Sequence, residues 1–484
     1  KQKTAYEIMP SLVGSEMCIR DSPLKIYLGI DLGTTGCRVI ASDRDGRVIS
    51  KAFSSITRSE APQAEGWAEQ DANCWWEALV SSTRTAVSLL RGEIDGVSVD
   101  STSGTVLAVD ERGRPLCRAL MYNDSRARAE AEILSQAAEE LEEKLGYRVS
   151  PSFGASKLLW LKRNRSETFR RARFFLHAAD FLNGRLTGSF GVTDHTNALK
   201  SCFDLMEYRW PDFLEELGIP IEKLPSVVRP GTRIGEVCAE ASADTGIPEG
   251  TPVYAGLTDG CASQISSGAT SPGEWNSTLG STLVIKGVTR RIVRDPEGRI
   301  YSHLHPDGYW MPGGASNCGG ECLVQLFGDR DLKAMDQEAV RLIPTGLIIY
   351  PLVRVGERFP ISSPDARGFV VGTPRASEEL YAGYLEGVAY VERMAYEILQ
   401  GLGAEVGDKV YVAGGGSSSR VWLRIRASVL KKELIRPSVP EAAMGCAILA
   451  RAATDGIRVE RASRLMVREE LRVPPDASLS SEYD

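Results

Sequence analysis

The chain reads as an α/β protein built from two similar domains that face each other across a cleft, and three observations predict this. From residue 26 onward, strand-like and helix-like segments alternate. At 484 residues the chain exceeds the size at which one hydrophobic core stops growing. Finally, the turn Leu-Gly-Thr-Thr at residues 32–35 returns as Leu-Gly-Ser-Thr at residues 279–282, each after a strand and before an apolar run ending Val-Ile. Two such turns facing each other would present backbone N–H groups and hydroxyls to one polyphosphate between the domains.

The first element, IYLGIDLGTTGCRVI (residues 26–40), is apolar, breaks at Asp31 and a Gly-Thr-Thr-Gly turn, and becomes apolar again, which predicts a strand pair. DRDGR (residues 43–47) is a turn signal ahead of a third strand near Val48 to Phe53. Trp75, Leu79, Thr83, Val87 and Leu90 recur at helical spacing and predict a helix over 71–90. GVSVDSTSGTVLAVDERGRPL (residues 96–116) again reads strand, turn, strand. Residues 150–235 are richer in Pro, Arg and aromatic side chains and read as an elaborating subdomain or lid. The pattern then restarts: PEGTPVYAGLTDGCASQI predicts a strand ending at Thr258–Asp259 and a helix, and SPGEWNSTLGSTLVIKGV repeats the strand, glycine turn and strand. Tyr384, Leu385, Val388, Val391, Ala395 and Ile398 mark a core helix over 380–402. KVYVAGGGSSSRVWLRIRASVLKK (residues 409–432) gives a strand, three glycines and an amphipathic helix, on which Trp422 reads as core rather than as a stacking partner for a base.

Composition excludes several classes of partner. A net charge of -7 without a basic block argues against nucleic acid and anionic membranes, and no apolar run approaches the roughly 18 residues that a membrane span needs. Ten scattered cysteines without a zinc-like pair read as reduced thiols of a cytoplasmic protein. His303 and His305 would share a strand face; without a third ligand at suitable spacing they read as a surface pair rather than a metal site. Residues 1–22 lack the character of a signal or transit peptide, resemble translated cloning adapter, and are expected to be a non-native leader before a start at Pro23 or Leu24.

The chemistry-bearing candidates lie at the turns. No GxxxxGK[ST] motif occurs, so a P-loop is not predicted. The glycines at 414–416 allow close approach of a flat ligand, and the following helix N-terminus favours phosphate; a dinucleotide fingerprint fails because Ser419 occupies its last glycine position. Asp259 reads as a helix cap, ordinarily a structural role, but the helix dipole would keep its carboxylate ionised, as a general base for an alcohol requires. Asp31 ends a strand beside a phosphate-sized turn and suits Mg²⁺. Ser101 to Ser103 read either as a solvated turn or as ligand contacts.

In order, IDLGTTG, AGLTDG, STLGST, AGGGSSSRVW and EAAMGCAILA resemble the motifs of the FGGY carbohydrate kinases, members of the sugar kinase, Hsp70 and actin superfamily, over roughly residues 25–455. The resemblance implies two actin-like ATPase (ribonuclease H-like) domains with an interdomain cleft, residues 23–268 for sugar and base and residues 269–484 for ATP. It implies Asp259 as the base that deprotonates the sugar's terminal hydroxyl. Asp31 and Asp259 would hold Mg²⁺, and Gly33, Thr34, Thr35, Gly280, Ser281 and Thr282 would grip the phosphates. Gly415, Gly416 and Ser417 would flank the adenosine with Met444 nearby, and Asp31, Ser103, Gly104 and Asp259 would face the sugar. DSTSGTVLAVD, GGASNCGGE and YPLVRVGERFPI are similar to the D-ribulose kinases of cyanobacteria and plants; where xylulose kinases place Met-His, this chain has Thr102-Ser103. The expectation is an ATP- and Mg²⁺-dependent ketopentose kinase, monomer or homodimer, acting on D-ribulose. The alternatives are D-xylulose or another sugar or polyol as acceptor, and, from another class, a nucleotide-switched chaperone or regulator.

Overall fold

The opening apolar run pairs with itself. In the computed structural model, which describes residues 24–56 and 64–484, β1 (Lys25–Gly33) and β2 (Gly36–Asp43) form an antiparallel hairpin, with Ile26 to Leu32 buried. The expected leader, residues 1–22, lies outside the described residues. β3 (Val48–Ser55) extends the hairpin, and β4 (Glu93–Ser101) runs parallel to β1 on its other side. With β5 (Arg233–Glu236) and β6 (Pro252–Tyr254) the first sheet has the order β5-β6-β4-β1-β2-β3. Residues 96–116 form the expected strand, turn and strand, but the two strands do not pair with each other. Both sides of β4 are occupied by β1 and β6, so the strand Leu107–Val109 pairs instead with Phe174–Leu176 and leads into a subdomain with its own core.

The second sheet repeats the plan. β7 (Trp275–Leu279) and β8 (Leu283–Gly287) form a hairpin; β9 (Tyr301–Leu304), β10 (Trp310–Ser316), β11 (Lys409–Ala413), β12 (Glu433–Pro437) and β13 (Glu469–Val473) complete the order β9-β10-β8-β7-β11-β12-β13. In both sheets the first hairpin strand is parallel to a central strand (β4 or β11). That strand is parallel to the next (β6 or β12), which pairs antiparallel with the edge (β5 or β13). The short sequence match at the two turns therefore marks a duplicated sheet.

Helices cover the sheets where apolar spacing predicted them. α1 (Ala72–Val87) is capped by Asp71, whose carboxylate accepts the Asn73 N–H at 2.9 Å, and buries Trp75, Leu79 and Thr83. α2 (Gly154–Asn164) belongs to the subdomain. α3 (Asp259–Ser267) packs between the lobes with a helix from the far end of the chain. α4 (Ser377–Gly401) and α5 (Arg420–Leu430) build the core of the second lobe, with Trp422 buried and its indole N–H donating to the Leu385 carbonyl at 3.0 Å. That far helix, α6 (Ala442–Asp455), lies against β1, and a Cβ at Gly29 would collide with the Ala443 carbonyl. Gly445 meets the Ala262 carbonyl of α3 in the same way. Tyr27, Ile40, Cys261, Ala262, Met444 and Ala447 share one apolar layer, so the strand that carries Asp31 is clamped by a helix from the other half of the chain. Among the described residues no helix is long and apolar enough to cross a membrane, and the nine described cysteines are all free thiols.

Candidate functional site

Two adjoining cavities occupy the cleft. The first, about 750 Å³, is lined by Asp31, Gly33, Thr34 and Arg38 from the first hairpin, Asp259 and Ser263 from α3, and Thr278, Ala413 and Gly414 from the second sheet. The second, about 520 Å³, lies between the subdomain, which supplies Ser150, Ser152, Phe153 and Lys200, and the second lobe, which supplies Lys286, Tyr301 and Arg358. Ser103 and Tyr122 line both, so the cavities communicate there.

Asp259 sits where the cavities approach each other. The strand before it is shorter than expected, ending at Tyr254, and Thr258 rather than Asp259 is the cap residue; Asp259 is the first residue of α3. Its Oδ1 accepts the Gly260 N–H at 2.7 Å. The expectation that the helix dipole sets its ionisation is corrected: burial, followed by the neighbouring Asp31 charge, pushes its carboxyl up to about 6, against the Gly260 N–H and Lys286, which favour the anion. A base of this strength is still ionised at neutral pH and accepts a proton more readily than an ordinary aspartate.

Asp31 is 7% exposed and faces Asp100 across β1 and β4. Burial raises Asp31, with the Arg38 guanidinium at 3.3 Å opposing it. Asp100 is fully buried and is raised well above the ordinary range by burial and by the Asp31 charge; the Cys446 thiol donates to its Oδ2 at 3.1 Å while Oδ1 has no partner among the described residues. Of the pair, Asp100 is the member raised further, as its complete burial dictates. Sequence reasoning missed it, although a lone acid inside the buried run GVSVDS at the end of β4 is an available signal. Lys286 in the run LVIKG carries the same signal, and Lys200 carries none.

The remaining expected residues divide. Gly33 and Thr34 line the first cavity; the exposed Thr35 does not, and its carbonyl accepts the Ile56 N–H. Gly280 and Ser281 are exposed outside both cavities together with Thr282, and their carbonyls accept the N–H groups of Gly320 and Glu321. Gly414, with φ of +81°, lines the first cavity; Gly415 adjoins it in sequence, Gly416 packs on Leu279, and Ser417 Oγ donates back to the Gly414 carbonyl at 2.7 Å. Met444, expected beside adenine, is 1% exposed within the layer between the lobes and lines neither cavity. Ser101 is not a solvated turn residue: it is buried and its Oγ accepts the Ala179 N–H at 3.0 Å. Gly104, with φ of +80°, is buried behind Ser103, and its carbonyl accepts the Lys157 ammonium at 2.8 Å, so it shapes the loop rather than lining the cavity. His303 and His305 are buried, not a surface pair. His303 Nδ1 accepts from Lys286 Nζ at 3.0 Å and His305 Nδ1 from the Asp307 N–H.

Among the described residues no group of three or more His, Cys, Asp or Glu is arranged to enclose a metal. Hard oxygen donors are nonetheless present: Asp31 and Asp259 open into the same cavity as the phosphate turn, and their mutual repulsion favours a cation between them. This fits Mg²⁺, which takes one or two carboxylates and completes its shell with water and phosphate oxygens.

Comparison with known proteins adds the following. The chain matches the model for the FGGY family of carbohydrate kinases, N-terminal domain, over residues 26–266, and that for the C-terminal domain over residues 277–454. It is 24% identical to a xylulose kinase of Bacillus subtilis, over 95% of both chains, and 26% identical to a gluconokinase of the same organism, over 94% of this chain and 93% of that one. A crystal structure of xylulose kinase from Rhodospirillum rubrum superposes with a TM-score of 0.86 at 27% identity, covering 95% of this chain and 96% of the other.

Proposed function

This chain belongs to the FGGY family of carbohydrate kinases, and from that premise we propose that it transfers the terminal phosphoryl group of ATP to the terminal hydroxyl of a ketopentose, D-ribulose. The fold is the family's two-domain actin-like ATPase, and the activity is that of a carbohydrate kinase, a phosphotransferase; this removes the chaperone or regulator reading. Kinases of this family use ATP, generally with Mg²⁺.

One observation carries the reading of the site: Asp259, half-buried and raised to about 6, borders the phosphate turn on one side and lies near Lys286 of the hydroxyl-lined chamber on the other. On this reading the nucleotide phosphates enter the first cavity along Gly33, Thr34 and Gly414. The sugar occupies the second, where Ser103, Ser150 and Ser152 offer hydroxyls to its own. Asp259 takes the proton from the terminal hydroxyl as its oxygen attacks the γ-phosphorus, the bond from phosphorus to the β-phosphate oxygen breaks, and ADP leaves with that electron pair. Mg²⁺ held by Asp31 and Asp259 supplies charge neutralisation at the phosphates when bound. Enclosing the reacting atoms between the lobes keeps water from competing with the sugar hydroxyl.

The preference for D-ribulose is supported by Thr102 and Ser103 at the junction of the cavities, small hydroxylated residues in place of the Met-His pair. D-xylulose is the second reading, favoured by the relatives that bear that name. ADP release measured with D-ribulose, D-xylulose, L-ribulose, glycerol and ribitol tests both: the highest kcat/KM is expected for D-ribulose, and a preference for D-xylulose would overturn the Thr102-Ser103 argument while keeping the kinase.

A further inference from the structure

The chamber read above as the sugar site carries more positive charge than a neutral sugar requires. Lys200 stands on the subdomain wall and Lys286 on the opposite wall formed by β8, 9% and 7% exposed respectively. Neither takes part in an ion pair among the described residues. Lys200 Nζ rests over the rings of Phe153 and Tyr301, at 4.4 and 4.2 Å, and Lys286 Nζ has one neutral partner, His303 Nδ1. Arg358 lines the same chamber and donates through Nε only to the Asn317 amide oxygen at 2.9 Å.

Glu357 is the one acid on the lining, and its carboxylate is already committed to Ser316 Oγ at 2.7 Å, Tyr350 OH at 3.2 Å and the N–H groups of Asn317 and Arg358 at 2.6 and 2.8 Å. Burial pulls both lysines below their ordinary range, Lys200 to about 8; the charge of Lys286 pulls Lys200 further in the same direction, and the nearby Asp259 charge opposes the shift at Lys286 only in part. Two desolvated ammonium groups facing one open cavity are stabilised by an anion between them far more than by hydroxyls.

We infer that Lys200 and Lys286, one from each wall, form a seat for a phosphate group inside the chamber. A tetrahedral dianion directs its oxygens outward to donors on opposite walls, and two ammonium groups match its charge. The phosphate can be that of the phosphorylated product or free inorganic phosphate. Resting on the reading of this chamber as the sugar site, the seat makes either species an inhibitor competitive with sugar. It would also hold the lobes together after transfer, so that release of the phosphate ester limits turnover.

The test uses the full chain saturated with ADP, so that the nucleotide phosphate turns are filled, and follows binding of inorganic phosphate by calorimetry against nitrate at matched ionic strength. Phosphate is expected to bind; its affinity should fall about tenfold or more, the loss expected for one charge-assisted hydrogen bond, in Lys286→Met and in Lys200→Met, and survive in Lys286→Arg. Absence of binding, or binding by both methionine variants as tight as that of the unsubstituted chain, overturns the seat. Thermal unfolding of each variant separates a lost seat from a lost fold, and the arginine variant tests the charge where a methionine variant fails to fold. In steady state, inhibition competitive with sugar supports the seat, and inhibition competitive with ATP alone overturns it. Tighter binding of the phosphorylated product assigns the seat to the ester, and tighter binding of inorganic phosphate assigns it to the free ion. Because the calorimetry needs no turnover, lysine-dependent phosphate binding without sugar phosphorylation would reject the proposed function and leave the seat standing.

Discussion

The two sheets share a strand order and a turn sequence, yet equivalent positions carry different chemistry. Aligning Leu32-Gly33 with Leu279-Gly280 places Asp31 opposite Thr278, and both line the first cavity. In the first sheet Asp31 faces Asp100 on the parallel neighbour; in the second Thr278 faces Ala413. One copy of the scaffold thus concentrates buried carboxylates and the other presents a hydroxyl and a methyl at the same place. The repeated backbone supplies a turn at the end of a strand pair, and single residues at the end of that pair decide whether it brings carboxylates or a hydroxyl to the shared cavity.

The largest effect should come from the acidic side. Asp259→Asn is expected to lower sugar-dependent ADP formation by on the order of 10²–10⁴-fold while nucleotide titration shows ADP affinity largely kept. Unchanged turnover would remove Asp259 as the base. Next, Asp31→Thr gives the first sheet the residue of the second. The Mg²⁺ concentration for half-maximal rate should rise by at least the roughly 10–100-fold that loss of even an outer partner of a metal costs. An unaltered Mg²⁺ dependence would mean that the two positions are chemically equivalent after all.

The pH profile sharpens the same contrast. The base acts only when deprotonated, and its carboxyl is raised, so kcat/KM should be full above about 6 and fall about tenfold per unit below it. An acid limb near the ordinary aspartate value would show that burial and Asp31 do not act on Asp259 as described. The smallest effects concern packing. Gly29→Ala drives a methyl into the Ala443 carbonyl and should destabilise by roughly 1–3 kcal/mol, read as a lowered Tm. Gly280→Ala, whose new atom would lie 4.0 Å from the Thr282 carbonyl oxygen, should leave Tm nearly unchanged.

Elements whose signal is local were legible in the sequence. The hairpins around Gly33-Thr34-Thr35 and Gly280-Ser281-Thr282, the helix beginning after Asp71 and the strand before Gly414 are each fixed by turn chemistry and apolar spacing within about 15 residues. The strand, turn and strand of segment 96–116 were legible but their pairing was not, because the place beside β4 is taken by β6, about 150 residues later in the chain. Asp259 was legible as a chemical candidate, but its neighbours were not. Asp31 lies more than 200 residues away, and the proximity of the two, which raises Asp259, exists only after the lobes assemble.

By itself, then, the sequence determined two strand–turn–strand units, their α/β context and the carboxylates and glycines at the strand ends, because side-chain period and turn preference act over a few residues. The tertiary structure alone decided which of those groups meet. It paired Asp31 with Asp100 across β1 and β4, brought Lys200 and Lys286 to opposite walls of one chamber, and sank Met444 into the layer between the lobes. Ionisation and ligand choice depend on burial and on charges only ångströms apart, and a folded chain sets those distances without regard to separation along the sequence.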